Sequence, residues 1–96
     1  MTLTIFARFH AREGQADAVA AAIRQVAPQT RAEDGCLGIG TYRSIQDPRL
    51  FHIHSVWTDE PAFEAHAALP HTVRFLKTVQ PLIDHPLDVS RAAPLG

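Results

Sequence analysis

Ninety-six residues with 46% hydrophobic content can build one small domain. A chain of this size buries only about 60–65% of the surface it would expose unfolded, so any further apolar face invites a partner subunit. Nine Lys+Arg against ten Asp+Glu leave a net charge of −1 and no basic stripe, which excludes a nucleic-acid footprint, and the single cysteine, Cys36, excludes an intrachain disulfide and fits a reducing, cytoplasmic setting.

The opening stretch alternates. Leu3, Ile5, Ala7 and Phe9 share one face and Thr2, Thr4, Phe6, Arg8 and His10 the other, which predicts a strand. Alternation interrupted by Arg8 is neither a signal core nor a membrane span, so no membrane partner is expected. Ala11 to Gly14 reads as a turn. From Gln15 the spacing of Val19, Ile23, Val26 and Ala27 changes to that of an amphipathic helix. Pro28 is expected to kink or restart that helix, and Gly35 to follow its end.

Cys36 to Ile45 predicts a second strand, with Leu37, Ile39, Thr41, Arg43 and Ile45 on one face and Gly38, Gly40, Tyr42 and Ser44 on the other. Gln46-Asp47-Pro48-Arg49 is a tight turn, so a hairpin leads into a third strand from Leu50 to Trp57. That strand sends Phe51, Ile53, Ser55 and Trp57 one way and Leu50, His52, His54 and Val56 the other. Thr58 or Asp59 can cap the next helix, with Pro61 in its first turn and Ala62, Phe63, His66 and Ala67 at helical spacing. Pro70 interrupts it, and a last helix from about His71 to Val79 presents Phe75, Leu76 and Val79. Leu87, Val89 and Arg91 suggest a final strand, with a flexible tail over residues 91–96.

The order β-α-β-β-α-β is the split βαβ, or ferredoxin-like, α+β arrangement: one domain over residues 1–96, an antiparallel sheet with helices on one face. The other sheet face carries Phe6, Tyr42, Leu50 and Val56 among histidines and arginines. A semi-apolar open face of this kind predicts a homodimer packed sheet on sheet.

The helix-side face gathers Ile5, Ile53, Ser55 and Trp57 from the strands and Phe63, His66, His71 and Phe75 from the second helical region. An aromatic-lined pocket with a few polar groups suits a small molecule, although Trp57 and Phe63 would equally well fill a core. Imidazole changes charge near neutral pH, so His66 or His71 could take a proton from a phenol or enol. His52 and His54 share a strand face but lack a third ligand, so no metal site is expected and interface hydrogen bonding suits them better. Arg43 is expected to reach the sheet edge and pair with a carboxylate or an anionic ligand. Cys36 has no basic neighbour and reads as a small buried residue. With no phosphate loop, Ser-His-Asp order or paired carboxylates, any catalysis must rest on histidine and pocket shape.

Several of these runs together resemble the antibiotic biosynthesis monooxygenase domain family, which includes quinol monooxygenases. They are Glu13-Gly14, Ala32-Glu33-Asp34-Gly35-Cys36-Leu37, Tyr42-Arg43-Ser44 with Asp47-Pro48, Val56-Trp57-Thr58-Asp59 with Ala62-Phe63 and His66, and Pro70-His71, spread over residues 2 to 90. The resemblance implies a dimeric α+β barrel and oxygenation of a small aromatic quinol or polyketide-like phenol by O2, with no cofactor and no metal. In that frame His66 or His71 is the catalytic base, Trp57 stacks on the substrate and Ser55 orients its oxygen. Ile5, Ile53, Phe63 and Phe75 complete the pocket. Many relatives carry glutamate where this chain has Ser55, which removes one acid–base group and leaves the histidines as substitutes. Haem-degrading members use asparagine, tryptophan and histidine at positions that align with Ala7, His66 and Leu76, so haem degradation is not expected. The same fold also hosts non-catalytic binding or stress-response modules, isomerases and lyases.

Overall fold

The computed structural model describes all residues 1–96. Strand β1 (Leu3–His10) is followed by helix α1 (Ala16–Arg31), the hairpin β2 (Cys36–Arg43) and β3 (Leu50–Trp57), and helices α2 (Glu60–Ala68) and α3 (Pro70–Val79). A 3₁₀ turn over Gln80–Leu82 leads to β4 (Asp88–Ala92). The strands form one antiparallel sheet in the order β2-β3-β1-β4, the ferredoxin-like α+β topology. No helix is long and apolar enough to cross a membrane.

Register follows alternation. Ile5 lies opposite Ser55, Ala7 opposite Ile53 and Phe9 opposite Phe51, so the inward set of β1 meets the inward set of β3. On the other side of β1, Ala7 meets Val89 and Ile5 meets Arg91. The helices cover this face, where Val19, Ile23 and Val26 of α1 join Phe9, Phe51, Phe75 and Val79 in the larger of two core clusters. The smaller cluster is Leu3, Ile5 and Trp57, with Cys36, Ala62 and Phe63 packed against it.

Four local features differ from the sequence reading. Helix α1 runs through Pro28 without restarting. Pro28 and Arg24, whose carbonyl the proline leaves unbonded, both lie on the exposed side, so the cost of the missing hydrogen bond is met by water. Leu37 does not share the inward face of Ile39. A register shift between Cys36 and Gly38 turns Cys36 toward Trp57 and leaves Leu37 57% exposed. Strand β2 ends at Arg43, where the Ser44 hydroxyl accepts the backbone N–H groups of Gln46 and Asp47 and starts the turn; Ile45 is fully exposed. Finally, Arg91 and Ala92 are strand residues, so the tail is confined to residues 93–96. Arg91 Nη1 donates to Glu64 Oε1 at 2.6 Å and Glu60 Oε2 at 3.3 Å, and its guanidinium lies over the Phe63 ring. The Glu64 hydrogen bond, above all, raises the Arg91 pKa further and ties β4 to α2.

Candidate active site

The two core clusters do not meet. Between them lies a cavity of about 260 Å³, open to solvent on one side and floored by Ile5, Ala7, Ile39, Ile53 and Ser55 of the sheet. Ala7 and Ser55 are small residues in the middle of a floor whose other members are larger, and this is what leaves room. Phe63, His66 and Ala67 of α2 and Thr72, Phe75 and Leu76 of α3 form the opposite wall. Only four polar side chains line the space: Thr30, Ser55, His66 and Thr72. A concave apolar site with a few convergent polar groups is the usual form of a small-molecule pocket, and this volume lies just below the common range of about 300–1,000 Å³.

Of the residues expected at a site, Ile5, Ile53, Ser55, Phe63, His66 and Phe75 line this cavity together. Trp57 and His71 do not. Trp57 is 1% exposed and lies behind the wall, its ring 4.7 Å from that of His66 and 5.7 Å from that of Phe63. The indole N–H donates to Ser55 Oγ at 3.0 Å, which satisfies both buried groups and fixes the Ser55 rotamer. Cys36 lies beside this cluster, and burial pushes its thiol pKa up, away from a nucleophile's range. Arg43 reaches the sheet edge, donating to the Pro48 carbonyl at 2.6 Å and lying 3.8 Å from Asp17.

Glu33 completes the arrangement, a residue that the sequence patterns did not single out for a site. Its Oε2 accepts from His66 Nδ1 at 2.8 Å and from His71 Nε2 at 2.7 Å, while Thr72 Oγ1 lies 3.2 Å from His66 Nδ1. All three side chains are well covered, at 11% exposure for Glu33, 15% for His66 and 17% for His71. With Glu33 ionised, both facing nitrogens carry their protons, so Nε2 of His66 is left with the lone pair. The signal for Glu33 was its place in the run Ala32–Leu37. The two histidines lie 33 and 38 positions away, so no local spacing pointed to the pairing.

Local chemistry sets this convergence. Asp59 caps α2 by accepting the Ala62 N–H at 2.9 Å, and Pro61 occupies the first turn, where its missing N–H costs nothing. Pro70 forces Leu69 into extended backbone (ψ 147°), ending α2 and starting α3 at a new angle. Residues five apart in an unbroken helix point about 140° away from each other. The break lets His66, near the end of α2, and His71, in the first turn of α3, address the same oxygen. Glu33 is itself pinned: its N–H bonds to the Thr30 carbonyl and its carbonyl accepts from Cys36. Two residues on, Gly35 lies so close to Ala62 that a Cβ at position 35 would collide with it.

The sequence pattern described as antibiotic biosynthesis monooxygenase matches residues 2–78. Rv0793 of Mycobacterium tuberculosis, which carries a provisional monooxygenase name, is 29% identical over 93 residues, covering 97% of this chain and 91% of that protein. Its solved structure superposes with a TM-score of 0.94 at 27% identity, covering 100% of this chain and 97% of that one. The structure of PA3566 from Pseudomonas aeruginosa gives a TM-score of 0.93 at 28% identity, with 99% and 95% coverage.

Proposed function

The chain belongs to the antibiotic biosynthesis monooxygenase family, and on that premise we propose that it oxidises a small aromatic quinol or phenol with O2, using no cofactor, with His66 as the base. The observation that carries this reading is the imidazole of His66 on the wall of an apolar cavity, its Nδ1 proton held by Glu33. Nε2 takes the phenolic proton. The imidazolium that forms has the Glu33 carboxylate against it, an arrangement that stabilises the charge where it develops.

The phenolate is electron-rich enough to pass one electron to O2, and recombination of the radical pair gives a ring hydroperoxide. Loss of water from it leaves a hydroxylated quinone. The quinol supplies all four electrons: two for the new C–O bond and two in becoming a quinone. One oxygen atom enters the product and the other leaves as water, so no external reductant is required. Ser55 can still donate its hydroxyl proton to a substrate oxygen, because its bond with Trp57 uses only an acceptor position. Trp57 serves this reading as the backing of the wall that holds Ser55 and His66. The small, mostly apolar cavity favours a compact aromatic over a long polyketide, and a substrate that fills it would displace water from around the radical pair.

O2 uptake by chelator-treated protein with a quinol panel is the test. His66→Ala should lower the rate on the order of 10²–10⁴-fold, the usual weight of a general base, and Glu33→Gln by at least about 10-fold. Unchanged uptake in His66→Ala would sink the assignment of His66, and unchanged uptake in His71→Ala as well would sink a histidine base altogether. Turnover that persists without O2 would point instead to an isomerase or lyase. Saturable binding that quenches Trp57 fluorescence with no O2 uptake would identify a binding module.

A further inference from the structure

We propose that Glu33, His66 and His71 also form a binding site for a divalent transition ion of the zinc type. The donor set is two imidazole nitrogens and one carboxylate oxygen, and the three ligand atoms lie within 4.8 Å of one another. Two histidines and a carboxylate are a recurrent protein set for zinc, leaving a further position open for water or another ligand. The three residues come from the α1–β2 loop, the end of α2 and the start of α3. They have already converged in a largely covered place, so ordering them for an ion requires little further loss of freedom.

In the present arrangement two N–H groups point at a single oxygen. An ion would take the place of those two protons, each imidazole moving its proton to its other ring nitrogen. Zinc bonds of about 2.0–2.2 Å at tetrahedral angles place ligand atoms about 3.3–3.5 Å apart. The Glu33–histidine separations of 2.7 and 2.8 Å therefore have to open by about 0.5–0.8 Å, a side-chain adjustment and not a refolding.

No other histidine cluster meets this requirement. Asp47 and Asp84 flank opposite nitrogens of the one His10 ring, so their oxygens share no common centre with it. His52 and His54 stand on the outer sheet face and take part in no group of three ligands. The proposal goes beyond the oxygenase reading and is read by binding alone. It does bear on that reading: zinc on Nδ1 of His66 would move the ring proton to Nε2, so ion binding and base catalysis exclude each other.

Isothermal titration of the chelator-stripped full chain with zinc chloride is the test, in a buffer that does not coordinate metal. One ion per chain at micromolar or tighter affinity is the expected result. His71→Asn and Glu33→Gln should each weaken it at least about tenfold, while His52→Asn with His54→Asn leaves it unchanged. Circular dichroism confirms that each variant is folded, and His71→Asn, at a less covered position, serves if Glu33→Gln is not. Cobalt(II) offers a second measurement: bound here it lies beside the sole tryptophan and should quench Trp57 emission. Absence of saturable binding, binding that survives both site variants, or binding that is lost with His52 and His54 overturns the proposal.

Discussion

Both ring nitrogens of His10 face a carboxylate. Nδ1 lies 2.9 Å from Asp84 Oδ2 and Nε2 lies 2.9 Å from Asp47 Oδ2, so the ring is best satisfied when doubly protonated. The hydrogen bond to Asp84, then that to Asp47, raises the His10 pKa. In turn the Arg49 backbone N–H and then His10 lower that of Asp47, and His10 lowers that of Asp84. Arg49 lies 3.7 Å from Asp84, and the neighbouring His85 accepts the His10 backbone N–H at Nε2. A raised histidine pKa stabilises the fold fully below its unfolded value of about 6.5, and this is lost as pH rises through the folded value. Lowered carboxylate pKa values stabilise fully above about 3.9, and this is lost as pH falls through their folded values. The difference in Tm between the natural chain and His10→Asn should therefore be widest near about pH 5 and shrink toward alkaline pH. Thermal melts across that range check it, and a gap that does not change with pH would contradict the clasp. None of this was visible in the sequence, where His10 read only as an outward residue of β1. Its partners are 37 and 74 positions away, and no local spacing announces them. Glu33 escaped for the same reason: the distance to His66 is closed by the fold and not by any helix or strand period.

At the scale of elements, the periods of 2 and 3.6 are geometric, so β1, β3 and α1 could be read from spacing alone, and Pro70 marked the split of α2 from α3. What spacing could not supply was the bulge at Leu37 or the consequence of the Pro70 break. Proline at this junction does more than end a helix, because it sets the angle at which two imidazoles meet one carboxylate. Pro70→Ala lifts the restriction on Leu69 and allows α2 and α3 to fuse, turning His66 and His71 about 140° apart. Glu33 would then keep only one of them. Far-UV circular dichroism should show a gain in helix, the histidine ring N–H resonances should lose one of the two Glu33-bonded signals, and quinol-dependent O2 uptake should fall on the order of 10²-fold. Helix gain without loss of either resonance would show that the junction is not what aligns the site.

At the scale of the whole molecule, one sheet face is covered by helices and the other is bare. Phe6 is 53% and Tyr42 56% exposed on the bare face, with the Phe6 ring 5.1 Å from that of His54. Nearby Gly38 has open space where a Cβ would point, so the surface there is low enough for another backbone to approach. Tyr42 folds back over Gly40 and partly fills the adjoining gap. A second copy across a twofold axis would bury this apolar surface, which a domain of this size leaves exposed. Two such sheets packed face to face would complete the α+β barrel that the sequence resemblance implies. Phe6→Glu places a charge at the centre of that contact and leaves the helix-side core and the cavity untouched, because Phe6 points away from both. Sedimentation should give a two-chain mass for the natural protein and a one-chain mass for the variant, with the far-UV spectrum unchanged. A natural chain that sediments as a single subunit would refute the pairing. A variant that remains two-chain would move the interface off this face.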